Sequence, residues 1–383
     1  MNPSAMRITI VLGPFKPPPP APSGAVEKAW WSLAKAFAAA GHETTVVGPD
    51  HPDLPRGEGW DGIAYRRLPL IDRSGRIWID VLRDFGWSRR ARRLLPLADV
   101  TVTNTFWLPR LLGGRGSRAR RDAGLLEVHV QRFPKGQMFL YAGADSISTV
   151  SAAISDGIAS ERPALADRIR VVPNPVDVEV FRPSEACLER RASSSPALLI
   201  YTGRMHPEKR LDLLVAAWRR LLEEGRVLRL RIVGPWETAA GGGGKGLVER
   251  LKALAGPHEF ELPGPVADPK ALAEELRAAD LYCYPSTAAK GEALPIAPLE
   301  AMACGLAPIV ADLPQYRGVL EHGENASMFD GTVEGLTSTL RGRLEDRERR
   351  LDLDRAAAAD AERLGVASIA VRHTVDWMQA RGS

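Results

Sequence analysis

Cysteine is scarce in this chain of 383 residues: Cys187, Cys283 and Cys304 are all it has, and no two stand at metal-ligand spacing. Cys283 and Cys304 fall in apolar stretches that read as a strand and a helix, so they read as small core residues. Aromatic residues make up 6% of the chain and do not interleave with its arginine clusters, which removes the stacking platform of a single-strand nucleic-acid groove. No apolar run reaches the roughly 18 residues of a membrane-spanning helix, and the start, Met1-Asn-Pro-Ser-Ala-Met6-Arg, has no secretory leader pattern. A cytoplasmic protein is therefore expected. Net charge is also small, +4, yet arginines bunch at Arg89, Arg90, Arg92 and Arg93 and again at Arg115, Arg118, Arg120 and Arg121. Such runs suit a solvated face, an anionic lipid surface at which the protein would sit peripherally, or an acidic acceptor.

The length exceeds one ordinary core and predicts two domains. Hydrophobic content of 45% with 26% charge is that of a globular protein. Strand-like runs at 7–12, 43–47, 99–103, 124–128, 146–150 and 169–172 alternate with helical stretches such as 25–40, which predicts an α/β fold with a parallel doubly wound sheet. Turn formers crowd Pro173-Asn-Pro-Val-Asp177, Phe181-Arg-Pro183 and Ser193 to Pro196. The strand pattern then restarts at 197–201, 228–233, 260–262, 280–284 and 307–310, a second Rossmann-like domain. Gly241 to Gly244 read as a mobile loop. The amphipathic stretch 367–378 reads as a final helix packing back on the first domain. The boundaries expected are 1–183, 184–365 and 366–383.

Ligands of doubly wound sheets bind beyond the carboxyl ends of the strands, so the loops there carry the information. After the strand 197–201 comes Thr202-Gly203-Arg204-Met-His-Pro-Glu208-Lys209, in which Gly203 permits close approach and Arg204 and Lys209 supply two cations able to neutralise a diphosphate. After the strand 280–284 comes Lys290-Gly-Glu292-Ala-Leu-Pro-Ile-Ala-Pro-Leu-Glu300, with seven residues between the two glutamates. A helix from about Pro298 to Ala303 would put Glu300 in its first turn, beside free backbone N–H groups and the positive dipole end. Carboxylates and anion-binding amides in one pocket suit a molecule with hydroxyls at both ends and phosphates between them. Small, apolar Ala301, Met302, Ala303 and Cys304 argue against a solvated helix. His129 follows the strand 124–128 and is expected to face the ligand cleft. Asp177 with Glu179 and Asp352 with Asp354 are acidic pairs without a convincing metal pattern.

Gly-Arg-x4-Lys and Glu-x7-Glu together resemble the signatures of the family 4 retaining glycosyltransferases. Gly234-Pro, Gly264, Asp280, Pro285-Ser286, Pro173 to Asp177 and Ser23-Gly24 before a helix closed by Gly41-His42 extend the resemblance over nearly the whole chain. It implies a GT-B fold, with two Rossmann-like domains facing a cleft, and a hexosyltransferase that uses a UDP or GDP sugar, retains its anomeric configuration and requires no metal or other cofactor. Arg204 and Lys209 would hold the diphosphate, Glu292 and His129 the transferred sugar, and Glu300 the ribose. Gly24, Gly203, Gly234, Ala293, Leu294, Pro295 and Ile296 would complete the donor site, with Arg132 and Lys135 on the acceptor side. The chain departs from the pattern at Pro295, which removes a backbone donor, and at Ser23-Gly24, where many members carry a glycine pair. Two alternatives stand beside this reading: a nucleotide-sugar 2-epimerase on the same fold, and a non-catalytic nucleotide-sugar binding protein. Arginine-rich and alanine-rich composition suits a bacterium of high GC content, with polysaccharide, glycolipid or natural-product acceptors.

Overall fold

A computed structural model describes residues 5–114, 116–193, 197–289 and 292–382. Arg115, Ser194 to Pro196, Lys290 and Gly291 lie outside the described residues.

The first unit holds eight strands: β1 (Arg7–Val11), β2 (Glu43–Pro49), β3 (Gly59–Trp60), β4 (Ile63–Leu68), β5 (Val100–Thr103), β6 (Leu125–Val130), β7 (Ser146–Thr149) and β8 (Ile169–Val171). They lie in the order β3-β4-β2-β1-β5-β6-β7-β8, and every pair is parallel except the β3–β4 hairpin at the edge. The β-branched runs are buried on both faces because helices cover both. On one face the helix Ala25–Ala39 sets Trp30, Leu33 and Phe37 against Ile8, Ile10 and Val46. On the other, Trp87 and Ala91 of the helix Ile77–Leu94 pack with Val47 and Leu126. The last helix, Val366–Gly382, belongs to this unit: Ile369, Ala370 and Trp377 join the core around Phe37, and the Trp377 indole donates to Glu127 at 2.7 Å.

The second unit holds β9 (Ala197–Thr202), β10 (Leu228–Val233), β11 (Glu261–Gly264), β12 (Leu281–Tyr284), β13 (Ile309–Ala311) and β14 (Ser327–Phe329), all parallel, in the order β11-β10-β9-β12-β13-β14. Counted within the unit this is 3-2-1-4-5-6, so the order reverses between β9 and β12, the place where doubly wound sheets bind ligands. Arg191 is fully buried and donates to the carbonyls of Leu276, Ala279, Cys304 and Gly305, tying together the C-terminal ends of the helices Pro269–Ala278 and Ile296–Ala303. Its cation suits the negative dipole ends it meets.

Several expectations are corrected. The units divide after Pro175 rather than Pro183: Val176 bonds the Leu364 carbonyl at 2.8 Å, and Arg277 donates to the carbonyls of Val180 and Arg182, which binds that segment to the second unit. The glycine run is not left loose. Gly243 and Gly244 donate to the carbonyls of Met205 and Trp236, each at 2.7 Å, and a Cβ at Gly242 would come within 2.3 Å of the Trp236 backbone. Its glycines permit close approach, not only freedom. Short β3, β4 and β14 and the helix Ile77–Leu94 had no expectation attached to them.

Candidate functional site

Three glycines shape the carboxyl edge of the second sheet. Gly203 ends β9 with φ 140° and Gly234 ends β10 with φ 147°, both outside the range comfortable for L-residues. A Cβ on Gly234 would lie 1.9 Å from the Gly203 carbonyl oxygen. Gly203 donates to Val233 and Gly234 to Gly264, so the strand ends close up and leave their backbone uncovered by side chains.

Arg204 leaves this edge under two restraints: its guanidinium donates to the Gly241 carbonyl at 2.9 Å and to Glu208 Oε1 at 3.1 Å, and about half of the side chain stays exposed. The Tyr201 hydroxyl, 2.9 Å from the Arg204 carbonyl, holds the loop itself. Lys209 meets the same Glu208 oxygen at 3.8 Å, so both cations converge on one carboxylate. The Lys209 ammonium also donates to Glu292 Oε1 and lies 5.5 Å from the centre of the Tyr284 ring. Glu292 and Lys209 are both buried. The Tyr284 hydroxyl at 3.0 Å and the Ser286 hydroxyl at 3.1 Å reach the same Oε1; Ser286 is also 3.2 Å from the Glu208 carbonyl. Among the described residues none of these donors goes to Oε2. One oxygen of Glu292 is thus fixed by the protein and the other remains to accept from a ligand.

Glu300 sits differently from expectation. The helix runs Ile296–Ala303 with Pro295 as its N-cap, which puts Glu300 in the second turn rather than the first, half-buried. Pro295 and Pro298 favour the earlier start, because proline fits the cap and first turn of a helix. Pro295 brings no side-chain cap to this helix, and first-turn amides such as those of Ile296 and Ala297 are groups able to meet an anion. Burial foremost, with Glu300 contributing, lifts the Tyr282 hydroxyl pKa far above its ordinary value; Tyr284 is lifted the same way, with Glu292 contributing. The two glutamates therefore act on alternate tyrosines of β12. Ala293 and Leu294 lead into the helix, Leu294 buried.

His129 is corrected. β6 continues to Val130, so the histidine is a strand residue within the first unit's core, not a residue of the following loop. Its Nδ1 is 2.8 Å from the Ser148 hydroxyl, Ser148 donates to Glu127 at 2.7 Å, and Trp30 stands edge-on at 5.0 Å. Burial depresses its pKa to about 3 and raises that of Glu127 to about 7. Its Nε2 has no partner among the described residues, and the residue lines a cavity of about 10 Å³, room for about one water. Gly24 lies in the same unit as the N-cap of the helix Ala25–Ala39, where a Cβ would come within 2.5 Å of the Glu27 carboxylate. Arg132 and Lys135 are exposed on the loop after β6.

Neither acidic pair gathers at a metal-like centre. Asp177 caps its own turn through Glu179 and Val180, and buried Asp354 pairs with Arg343 while Asp352 pairs with Arg355. Among the described residues no group of three or more His, Cys, Asp or Glu is placed to hold a metal ion. All three cysteines are free and buried, and burial pushes the Cys304 thiol up to about 12.

The motif reading missed Glu208 as the junction of both cations, and it missed Tyr201 and Tyr284. A tyrosine at the end of each strand flanking the switch point was the available signal. It also missed the turn after β13, where the Tyr316 hydroxyl and both polar atoms of the Gln315 amide are buried without partners.

A doubly wound sheet with paired cations, a carboxylate held through one oxygen and a helix start at its switch point is an arrangement suited to a phosphorylated ligand bearing hydroxyls. Comparison with known proteins sharpens this. Residues 24–175 match the glycosyl transferase 4-like domain and residues 189–360 the glycosyl transferases group 1. The chain belongs to the family 4 glycosyltransferases, with the GT-B pair of Rossmann-like domains. It is similar to a D-inositol 3-phosphate glycosyltransferase of Acidothermus cellulolyticus, 30% identical over 238 residues, covering 60% of this chain and 52% of that one. The chain spans about half the length of the curated relatives it matches. In fold it is similar to sucrose-phosphate synthase from Thermosynechococcus elongatus, with a TM-score of 0.77, 17% identity and coverage of 97% and 98% of the two chains. It is also similar to Anabaena HepE in complex with UDP-glucose, with a TM-score of 0.69, 17% identity and coverage of 98% and 99%. No helix among the described residues is long and apolar enough to cross a membrane.

Proposed function

We propose that this protein transfers a hexose from a nucleoside diphosphate sugar, UDP-linked or GDP-linked, to an acceptor hydroxyl with retention of configuration. The carrying observation is the Arg204–Glu208–Lys209–Glu292 chain of contacts at the switch point of the second sheet. Donor phosphates arriving there meet Arg204, Lys209 and the Ile296 and Ala297 amides, while Glu292 Oε2 accepts from the sugar and Glu300 from the ribose. As the bond from sugar to phosphate breaks, charge builds on the departing diphosphate, and two fixed cations stabilise it more than they stabilise the bound donor. The leaving phosphate oxygen takes the acceptor proton on the same face. Glu292 orients and does not attack. The two cations supply the charge a divalent ion would supply elsewhere, so turnover in EDTA should match turnover without it.

The acceptor belongs to the first domain's share of the work, with Arg132 and Lys135 as its contacts. The helix Ile77–Leu94 favours an acceptor at a lipid surface. Ile77, Trp78 and Leu82 are 72%, 60% and 62% exposed near its start, and Arg89, Arg90, Arg92 and Arg93 are exposed towards its end. An apolar stretch continued by arginines is the pattern of a peripheral membrane contact. Such a chain would work at the cytoplasmic face of a bacterial membrane, in polysaccharide or glycolipid assembly. Of the second arginine run, Arg118, Arg120 and Arg121 are described; Arg120 is buried against Asp145 and therefore structural.

Calorimetric titration with UDP, GDP and ADP tests the donor site. One nucleotide should bind, and Glu300→Gln, which weakens a charge-assisted hydrogen bond of about 1.5 to 3 kcal/mol, should lower that affinity roughly tenfold to a hundredfold. Unchanged affinity would remove Glu300 from the site, and no binding by any nucleotide would overturn the donor site itself. Incubating the donor without acceptor separates transfer from 2-epimerisation, since only an epimerase would convert the sugar.

A further inference from the structure

A concavity of the first domain, about 850 Å³, lies at the amino ends of its strands, away from the carboxyl ends where the family's ligands are expected. Arg7 opens β1, Arg121 precedes β6, Arg168 and Arg170 flank the start of β8, and Arg381 comes from the last helix. These five arginines face three aspartates, Asp99, Asp145 and Asp167. Asp99 is taken by Arg7 and Arg381, both ion-paired to its Oδ1, and Asp145 by the buried Arg120 behind the wall. Arg121, Arg168 and Arg170 donate instead to backbone carbonyls, of Gly116, of Ala142 and Ala144, and of Asp167 and Ile169. Among the described residues, none of these three has a carboxylate within ion-pairing distance.

The topology explains the gathering. The helix Arg118–Asp122 runs back to the amino edge before β6 and the last helix, Val366–Gly382, ends there, so Arg121 and Arg381 of their last turns reach this face. Arginine at a helix C-terminus is accounted for by the dipole alone. That account also covers Arg168, which ends the short helix Pro163–Arg168, but not Arg170, which lies within β8, nor a hollow of ligand size, for which roughly 300 to 1,000 Å³ is usual. Three guanidiniums with no ion-pair partner among the described residues, around one hollow, call for a ligand of two or more negative charges, and phosphate groups match the guanidinium fork.

We propose that this concavity binds a phosphate-bearing anion at a site distinct from the residues assigned to the donor. The phosphate could come from a soluble polyphosphorylated molecule or from the headgroups of an anionic bilayer, and the site would be the same. This proposal stands independently of the transfer reaction.

The test titrates inorganic tripolyphosphate into the full chain carrying Arg204→Ala, which disables the donor phosphate contact, and into the same chain with Arg121→Gln and Arg170→Gln added. The expected result is binding in the first and at least a tenfold weaker dissociation constant in the second. Equal affinities, or no binding by the first, would overturn the proposal. Both arginines are exposed, and unchanged nucleotide binding by R121Q/R170Q in the otherwise wild-type chain checks that the variant is folded. Cosedimentation with phosphatidylglycerol vesicles identifies the source. If headgroups occupy the site, R121Q/R170Q sediments less than the wild type and tripolyphosphate lowers the wild type to the level of the variant. If a soluble anion occupies it, sedimentation is the same for both proteins while tripolyphosphate binding differs.

Discussion

Lys209 donates to Glu292 across 83 residues of sequence, and the two form a buried ion pair at the edge of the second sheet. Each has been assigned to a different part of the donor, Lys209 to phosphate and Glu292 to sugar. Their pairing makes the two ends of that ligand mechanically one site: whatever moves the ammonium moves the carboxylate.

Removing one partner should cost more than removing both charges. Lys209→Met leaves a buried carboxylate with hydroxyl donors only, which typically costs about 3 to 5 kcal/mol. Glu292→Gln in that background should restore part of the loss. Urea unfolding of the four proteins of this cycle measures the coupling, and strictly additive effects would mean the pair contributes nothing to the fold.

Arg204 is half-exposed and held by a carbonyl and Glu208, so its deletion should spare the fold. Arg204→Ala should lower kcat about 100-fold to 1,000-fold if the guanidinium acts on developing charge. A loss seen in donor KM with kcat intact would make it an anchor only.

Gly234→Ala should be poorly tolerated, at about 3 kcal/mol or more, because its Cβ meets the Gly203 carbonyl and its φ is that of glycine. Gly246→Ala, in the helix Lys245–Ala255 where the new Cβ would meet only the Arg250 side chain at an ordinary 3.9 Å, should stabilise by roughly 0.5 to 1 kcal/mol. Thermal unfolding of the two variants compares them directly, and equal melting temperatures would contradict the backbone approach described.

The buried network of the first domain predicts an acid sensitivity. His129 and His373 are both pushed by burial to pKa about 3, whereas unfolded histidine titrates near about 6.5. Below that pH the unfolded chain takes up protons the native fold refuses, so this stability is full above about pH 6.5 and is lost as pH falls towards 3. Glu127 opposes it, since a carboxyl raised to about 7 stabilises most at low pH and loses that contribution as pH rises through 7. Between pH 6.5 and 5 two histidines outweigh one glutamate, for a net loss of about 1.4 kcal/mol per pH unit. Glu127→Gln should roughly double that slope and His373→Phe should flatten it, read by tryptophan fluorescence during urea unfolding.

Much of the fold was legible because parallel strands buried on both faces spell themselves out in near-continuous apolar or β-branched runs, as 7–11 and 197–202 do. β3, β4 and β14 were not, being short or alternating in burial with no neighbouring apolar run to mark them. The site was legible wherever a strand end bore a glycine or a charge: Gly203, Arg204, Gly234 and Glu292 all stand at or just beyond the carboxyl edge. His129 failed that rule by a small margin, since β6 runs on to Val130 and so keeps it within the strand and in the core.

Sequence by itself determined the two doubly wound sheets, the glycines at their edges and the spacing of the charges, because periodicity, chain reversal and conformational freedom are local properties. Only the tertiary structure decided the partners. It joined Lys209 to Glu292, enclosed His129 between Trp30 and Ser148, and brought Arg7, Arg121, Arg170 and Arg381 around one hollow. The physical reason is the strand order: a crossover that returns the chain beside an earlier strand sets together residues whose distance in sequence carries no trace of their contact.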